Sequence, residues 1–180
     1  MVEITPIRPE DREEWAALWG AYLAFYASDL DDATTEATFA RLTAPESATD
    51  QARQNATEGA VVGNHGEASG SDVAAADARA RLRGAIARDG HGRAIGLVHW
   101  LTHLATWTRA DYCYLEDLYV VPDARGAGAG AALIEHVRAW AAEHGSAKVY
   151  WLTAETNDTA RRLYDRVAER SGFIHYEIPL

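Results

Sequence analysis

Residues 123–137 read DARGAGAGAALIEHV: an arginine, glycines at every second position from 126 to 130, then an apolar, alanine-rich run. Apart from proline, glycine is the residue least suited to opening a helix, because its backbone has the most freedom to lose. Its repeated use where a helix is about to begin means that the backbone itself is needed there. A strand, a glycine-rich turn and a helix N-terminus together make an anion site. Unpaired N–H groups point outward, the helix dipole favours negative charge, and no Cβ blocks a phosphate. Arg125 adds a permanent positive charge, and a plain flexible turn is the competing reading. The spacing is not that of a P-loop, since no Gly-Lys-Ser/Thr follows. Nor is it a dinucleotide fingerprint, which needs G-x-G-x-x-G at the start of a βαβ unit.

Working outward, ADYCYLEDLYVV (110–121) is an aromatic, β-branched strand leading into the turn. Before it, LRGAIARDGHGRAIGLVHWLTHL (82–104) holds a turn signal, Asp89-Gly90-His91-Gly92, between two strand-like runs, hence a hairpin. After it come a helix from about Gly130 to Glu143, a break at HGS, a strand KVYWLTA, a helix TARRLYDRVAER and a closing strand FIHYEI. Nearer the start, VEITPIRPED gives a first strand and a helix start. From Glu13 to Tyr26 the spacing of Trp15, Leu18, Trp19, Tyr22, Leu23, Phe25 and Tyr26 predicts an amphipathic helix. A shorter helix follows, with Asp32 or Thr34 as its cap and Phe39 and Leu42 as its apolar stripe. Between Pro45 and Ala80 large apolar residues almost vanish, so this stretch reads as a long surface insertion. The element order predicts one α/β domain over 1–180. Its sheet is mixed and mostly antiparallel, with one parallel crossover, and helices flank it.

The chain of 180 residues is long enough to bury a core without disulfides or metals. Its single cysteine, Cys113, forms no internal disulfide and fits a reducing compartment. The charged N-terminal stretch and the lack of any long apolar run predict neither signal peptide nor membrane span, so a cytoplasmic location is expected. A net charge of −10 argues against nucleic acid and anionic membranes as partners and mildly favours cationic ones, with solubility as the plainer account. The histidines show no metal-ligand spacing, and no metal is expected.

Arg125-Gly126-Ala127-Gly128-Ala129-Gly130 resembles the Arg/Gln-x-x-Gly-x-Gly/Ala signature of the GCN5-related N-acetyltransferases. YLEDLYVVPDARGAGAG is similar to the matching segment of their diamine and polyamine acetyltransferases. ETNDTARRLYDRVAERSGF is similar to the Asn-x-x-Ala-x-x-x-Tyr element, here Asn157, Ala160 and Tyr164. Seven residues separate Tyr164 from Gly172, more than is usual in the family. The resemblance covers nearly the whole chain outside the insertion. It implies the acyl-CoA N-acyltransferase fold, acetyl-CoA as co-substrate, a small amine as acceptor and a homodimer. It also implies that residues 125–130 cradle the pyrophosphate, that Asn157 holds the pantetheine arm, and that Leu118 and Val120 offer it backbone groups.

Acetyl transfer to an amine needs a group to remove the ammonium proton and one to stabilise or protonate the leaving thiolate. A carboxylate serves the first and a phenol the second, which makes Glu116 and Tyr164 the candidates. Strict period-two alternation groups Glu116 with Tyr112, Tyr114, Leu118 and Val120, and Asp117 with Cys113, Leu115 and Tyr119, so that one carboxylate alone faces the cofactor side. The resemblance assigns the base to Glu116; a carboxylate that merely orients backbone or pairs with arginine is the alternative. Tyr164 reads as general acid or as a half-buried packing residue. Cys113, on the opposite strand face, does not suit a covalent acyl carrier, so direct ternary-complex transfer is expected. Tyr22, Tyr26 and Asp29 join aromatic rings to a carboxylate that suits an ammonium, although helix aromatics are commonly core. His99, Trp100 and His103 share a strand and read as pocket-lining or as ordinary surface or core. The expectation is an N-acetyltransferase for a small cationic amine such as a diamine, polyamine or amino-acid side chain. A protein or peptide acetyltransferase and a non-catalytic acyl-CoA sensor are the alternatives.

Overall fold

The computed structural model describes residues 2–45 and 81–180, so all but the first residue of the expected insertion lies outside the described residues. Strand β1 (Glu3–Pro6) leads through a 3₁₀ turn into helices α1 (Arg12–Phe25) and α2 (Asp32–Leu42). Strands β2 (Arg83–Arg88), β3 (Ala94–His103) and β4 (Tyr112–Val120) follow, then α3 (Ala129–Glu143), β5 (Lys148–Tyr150) and α4 (Asp158–Val167). The strands lie in the order β1-β2-β3-β4-β5, antiparallel except for the parallel β4–β5 pair that the α3 crossover requires. This is the expected mixed α/β layering.

Local chemistry accounts for the joints. At the β2–β3 hairpin the Asp89 carboxylate accepts from the backbone N–H of His91 and of Arg93, at 2.9 and 3.1 Å. Helix α3 ends where Gly145 takes φ 70° and Ser146 N–H returns to the Ala141 carbonyl at 2.8 Å. Helix α2 is capped by Asp31, which accepts from Thr34 N–H at 2.6 Å, rather than by Asp32 or Thr34. The extended Asp31 backbone aims its carboxylate at the open first turn, and these bonds hold it below the usual carboxylate range.

Each face of the sheet carries a core. On one face Ala85, Val98, Trp100, Cys113 and Leu115 pack under Leu133, Ile134 and Val137 of α3. On the other, Ile86, Leu97 and Tyr119 pack under Trp15, Leu18 and Trp19 of α1 and Phe39 and Leu42 of α2. A fully buried side chain such as Leu133 contributes about 1.5–3 kcal/mol. The two ends of α1 differ: Trp15 is wholly enclosed, whereas Phe25 and Tyr26 at its C-terminus emerge from the core.

Two expected strands differ from the structure. KVYWLTA pairs over Lys148–Tyr150 alone, because β5 diverges from β4 beyond Tyr114. FIHYEI forms no strand; it has the alternation but no ladder to join, and Phe173, Ile174, Tyr176 and Ile178 stand 74–86% exposed.

Candidate active site

The three glycines of the opening segment serve two needs. Gly126 and Gly128 hold φ of 81° and 90°, the left-handed region that side chains avoid, and Gly128 is the N-cap of α3. Where a Cβ would stand at either residue there is open space, the opening a phosphate needs. Gly130 answers to packing instead, since a Cβ there would lie 2.9 Å from Leu163 Cδ2 of α4. The first-turn N–H groups of α3, which have no partners within the helix, face this space. Arg125 donates from Nε to the Val120 carbonyl at 2.9 Å and lies over the rings of Phe25 and Tyr119. Its charge is thereby fixed at the loop.

These residues form one wall of a cavity of about 910 Å³. Leu118, Tyr119 and Val120 form the floor, Asn157 and Tyr164 the facing wall, and Phe25 and Tyr26 the rim. The cavity exists because β4 runs on to Val120 beside β3 while β5 has stopped pairing at Tyr150, which leaves β4 edge groups free of a strand partner. Ala129 also lines it, whereas Ala127 borders a separate shallow groove beside Asp89 and Arg93. Asn157 is the N-cap of α4, its Oδ1 accepting from Ala160 N–H at 3.3 Å, so its amide NH₂ is the part left for a ligand. The glycine cradle, the helix terminus and the slot between strands have the form an acyl-CoA needs; Arg125, Gly126, Gly128, Ala129 and Gly130 could hold its phosphates, and Leu118, Val120 and Asn157 its arm.

Tyr164 packs edge-on to Trp151, with ring centroids 5.2 Å apart. Burial, followed by the neighbouring Tyr26, pushes its phenol up to about 12, so the hydroxyl keeps its proton across the ordinary pH range. Burial likewise pushes the Cys113 thiol up to about 12, under α3 and away from the cavity.

Glu116 lies two residues before Leu118 on β4, outside the cavity lining. Trp100 pairs with Leu115 and His99 with Asp117, so Glu116 is the extra residue of a β-bulge. This insertion breaks the expected strict alternation, which points Glu116 and Asp117 to opposite faces and groups Glu116 with Leu118 and Val120. Cys113 and Leu115 face α3, yet Asp117 and Tyr119, two and four residues beyond Leu115, face α1. A bulge shifts the alternation by one residue, and both carboxylates consequently lie on the α1 side. Glu116 opens to solvent, but surrounding protein strips part of its hydration. That desolvation, and then the negative Asp117, raise its carboxyl above the ordinary value. Tyr114, Tyr150 and Tyr22 are close enough for its charge to raise their own phenols.

Of the acceptor candidates on α1, Tyr22 is close enough to Asp117 for that charge to add to burial in raising its phenol, and Tyr26 reaches the cavity. Asp29 is exposed and belongs to neither group. His99 is wholly buried, and His103 bonds the Tyr150 hydroxyl at 2.9 Å. The consecutive acids Glu116-Asp117, set between apolar residues in a strand, are the one trace of the bulge in the sequence. Among the described residues no group of three or more His, Cys, Asp or Glu is placed to hold a metal ion, and no helix is long and apolar enough to cross a membrane.

Known proteins share both the sequence and this architecture. The model of the acetyltransferase (GNAT) family matches residues 48–168. The chain is 31% identical over 177 residues to the D-amino-acid N-acetyltransferase HPA3 of Saccharomyces cerevisiae, covering 98% of this chain and 89% of the relative. Among solved structures, AAC(6')-Iy bound to the bisubstrate analogue CoA-S-monomethyl-acetylneamine superposes with a TM-score of 0.70 at 15% identity, over 100% of this chain and 99% of that one. A ribosomal-protein-alanine N-acetyltransferase from Brucella melitensis biovar Abortus 2308 gives 0.65 at 20% identity, over all of both chains. With the matched sequence running through the strand, loop and helix that build the cavity, the chain belongs to the acetyltransferase (GNAT) family and is an acetyl-CoA-dependent N-acetyltransferase.

Proposed function

We propose that this enzyme acetylates the primary amine of a small cationic acceptor, with Glu116 as base and Tyr164 as hydrogen-bond donor on the leaving side. The observation that carries the reading is the β4 bulge, which sets two adjacent carboxylates on one face beside Tyr22, Tyr114 and Tyr150. Carboxylates and ring faces together suit an ammonium. The chain's net charge of −10 adds long-range attraction for cations.

Bound acetyl-CoA supplies the activated acetyl group as a thioester. Glu116 takes a proton from the acceptor's ammonium, directly or through water, and frees the nitrogen lone pair. The elevated Glu116 carboxyl suits that task better than an ordinary glutamate, because a stronger conjugate base meets the amine at a smaller mismatch. At about 12 the Tyr164 phenol is a weaker acid than a thiol of about 8.5. Its contribution is therefore a hydrogen bond donated from Oη to developing negative charge, with its own proton retained. Cys113 carries no acyl group in this scheme, and transfer is direct.

Diamines and polyamines suit the paired carboxylates. The yeast relative, named a D-amino-acid N-acetyltransferase, favours the α-amine of a free amino acid as a second acceptor class. A homodimer is part of the proposal, supported by the exposed apolar side chains of residues 173–178 and checked by sedimentation. Calorimetric titration with acetyl-CoA, followed by thiol release against diamines, D- and L-amino acids and short peptides, tests the whole. Turnover on diamines sustains the first reading, and turnover on amino acids the second. Binding without turnover on any of them leaves a protein acceptor or a sensor.

A further inference from the structure

Behind the bulge lies a chain of polar side chains in a space that apolar residues would fill. Trp15, wholly buried, donates from Nε1 to His99 Nε2 at 3.0 Å. His99, also wholly buried, holds Nδ1 at 2.9 Å from Asp117 Oδ2. An indole N–H only donates, so Nε2 must accept and the imidazole proton sits on Nδ1, donated to Asp117. Tyr22 lies near the same carboxylate, and burial, then that negative charge, raise its phenol. Carboxylate oxygens only accept, and Asp117 thus receives a hydrogen bond from His99 at Oδ2.

Packing alone does not require this arrangement. Burying an indole N–H and an imidazole costs free energy unless every polar atom is paired, and here the pairing all runs toward one carboxylate. That carboxylate is next to Glu116, on the same face by virtue of the bulge. We infer that Trp15 and His99 form a positioning pair that holds the Asp117 carboxylate beside Glu116, so that Asp117 anchors the acceptor's ammonium while Glu116 takes its proton. In that step an N–H bond breaks, the electron pair stays on nitrogen, and an O–H bond forms on Glu116. The inference rests on the proposed role of Glu116 as base.

The groups facing Glu116 support the division of labour. They are Asp117 and Tyr114 on β4, Tyr150 on β5 and Tyr22 on α1; the phenols are all raised by burial and stay neutral. Lys148, the chain's single lysine, lies 5.3 Å over the Tyr150 ring and 3.9 Å over that of Tyr112. Asp117 is the nearby anion that raises Glu116, and a clamped anion keeps that influence constant while an ammonium enters.

The test uses the full chain and whichever amine gives turnover, with acetyl-CoA affinity as a control. Asp117→Asn is expected to raise KM for the amine about tenfold or more, the effect of losing a charge-assisted bond. It should also move the acidic limb of kcat/KM to lower pH, as Glu116 loses its negative neighbour. His99→Leu should reproduce part of both changes. His99→Asn, whose amide can still donate to Asp117, should restore them, a rescue that a purely structural histidine would not show. If Asp117→Asn fails to fold, the contrast between His99→Leu and His99→Asn carries the same reading through a severalfold difference in amine KM. Parental KM and pH limb in the folded variants would overturn the inference. Full activity in Glu116→Gln would instead overturn the base assignment, and the inference with it.

Discussion

The glycine-lined cavity and the carboxylate pair outside its lining, the two halves of the site, are built from different material. Around residues 125–131 the site is backbone: two left-handed glycines, a helix terminus and a β4 edge left open by the short β5. Around Glu116 it is side chain: two carboxylates, three tyrosines, a buried histidine and a buried tryptophan. The first half is defined by conformation and should tolerate changes of side chain that leave φ alone. The second is defined by charge and hydrogen bonding and should tolerate none that alter a polar atom, even where shape is kept.

The sharpest way to break that contrast is Glu116→Gln. It keeps the shape and removes the base, so turnover should fall by about 10² to 10⁴ at neutral pH while the calorimetric affinity for acetyl-CoA stays at the parental value. A parallel loss of acetyl-CoA binding would mean that the halves are not separable. Tyr164→Phe comes next, with an expected loss of about ten- to a hundredfold in kcat. That is the scale of one hydrogen bond to developing charge, smaller than the loss of a proton acceptor. An unchanged single-turnover rate would remove Tyr164 from the chemistry.

On the backbone side, Gly128→Ala adds a single methyl where there is open space, yet φ at 90° costs an L-residue about 1–2 kcal/mol. Lower thermal stability and several-fold weaker acetyl-CoA binding are expected together. Gly130→Ala should cost less, because the atom it meets at 2.9 Å is the flexible end of Leu163. Calorimetry across the two variants checks the order; a larger loss at Gly130 would show that packing, not conformation, rules the loop.

The halves were unequally legible for the same reason. A glycine at every second position before a helix has few uses, so the loop, its helix and the cavity wall could be read from residues 123–137. Apart from the two consecutive acids, the strand carries no mark of an inserted residue, so YLEDLYV, read with period two, separates Glu116 from Asp117 and puts Asp117 with Cys113. The bulge reverses this and brings Asp117 to His99, a histidine that in sequence has nothing to separate it from ordinary surface or core. FIHYEI shows the complementary limit. Alternation states which residues prefer to share a face, but a strand exists only where another edge accepts its hydrogen bonds, and β5 pairs over three residues. The cap of α2 falls at Asp31 rather than at Asp32 or Thr34, a distinction made by backbone angle rather than residue type.

The smallest expected effect is a gain. Folding raises the Glu116 carboxyl above its unfolded value, so the folded state binds this proton more readily than the unfolded chain does. By linkage, the favourable contribution of the protonated group is fully present below the ordinary glutamate value of about 4.3. It is lost as pH rises from there through the elevated folded value, and above that Glu116 destabilises the native state. Glu116→Gln removes the charge and with it the penalty. At pH 7 the variant should melt at a slightly higher temperature than the parent, and the difference should shrink as pH falls through the elevated folded value and be gone below about 4.3. Paired thermal melts at pH 4 and pH 7 check the sign. A variant less stable than its parent at pH 7 would show that Glu116 holds the bulge together through bonds worth more than its desolvation costs, which would make the side-chain half of the site structural as well as chemical.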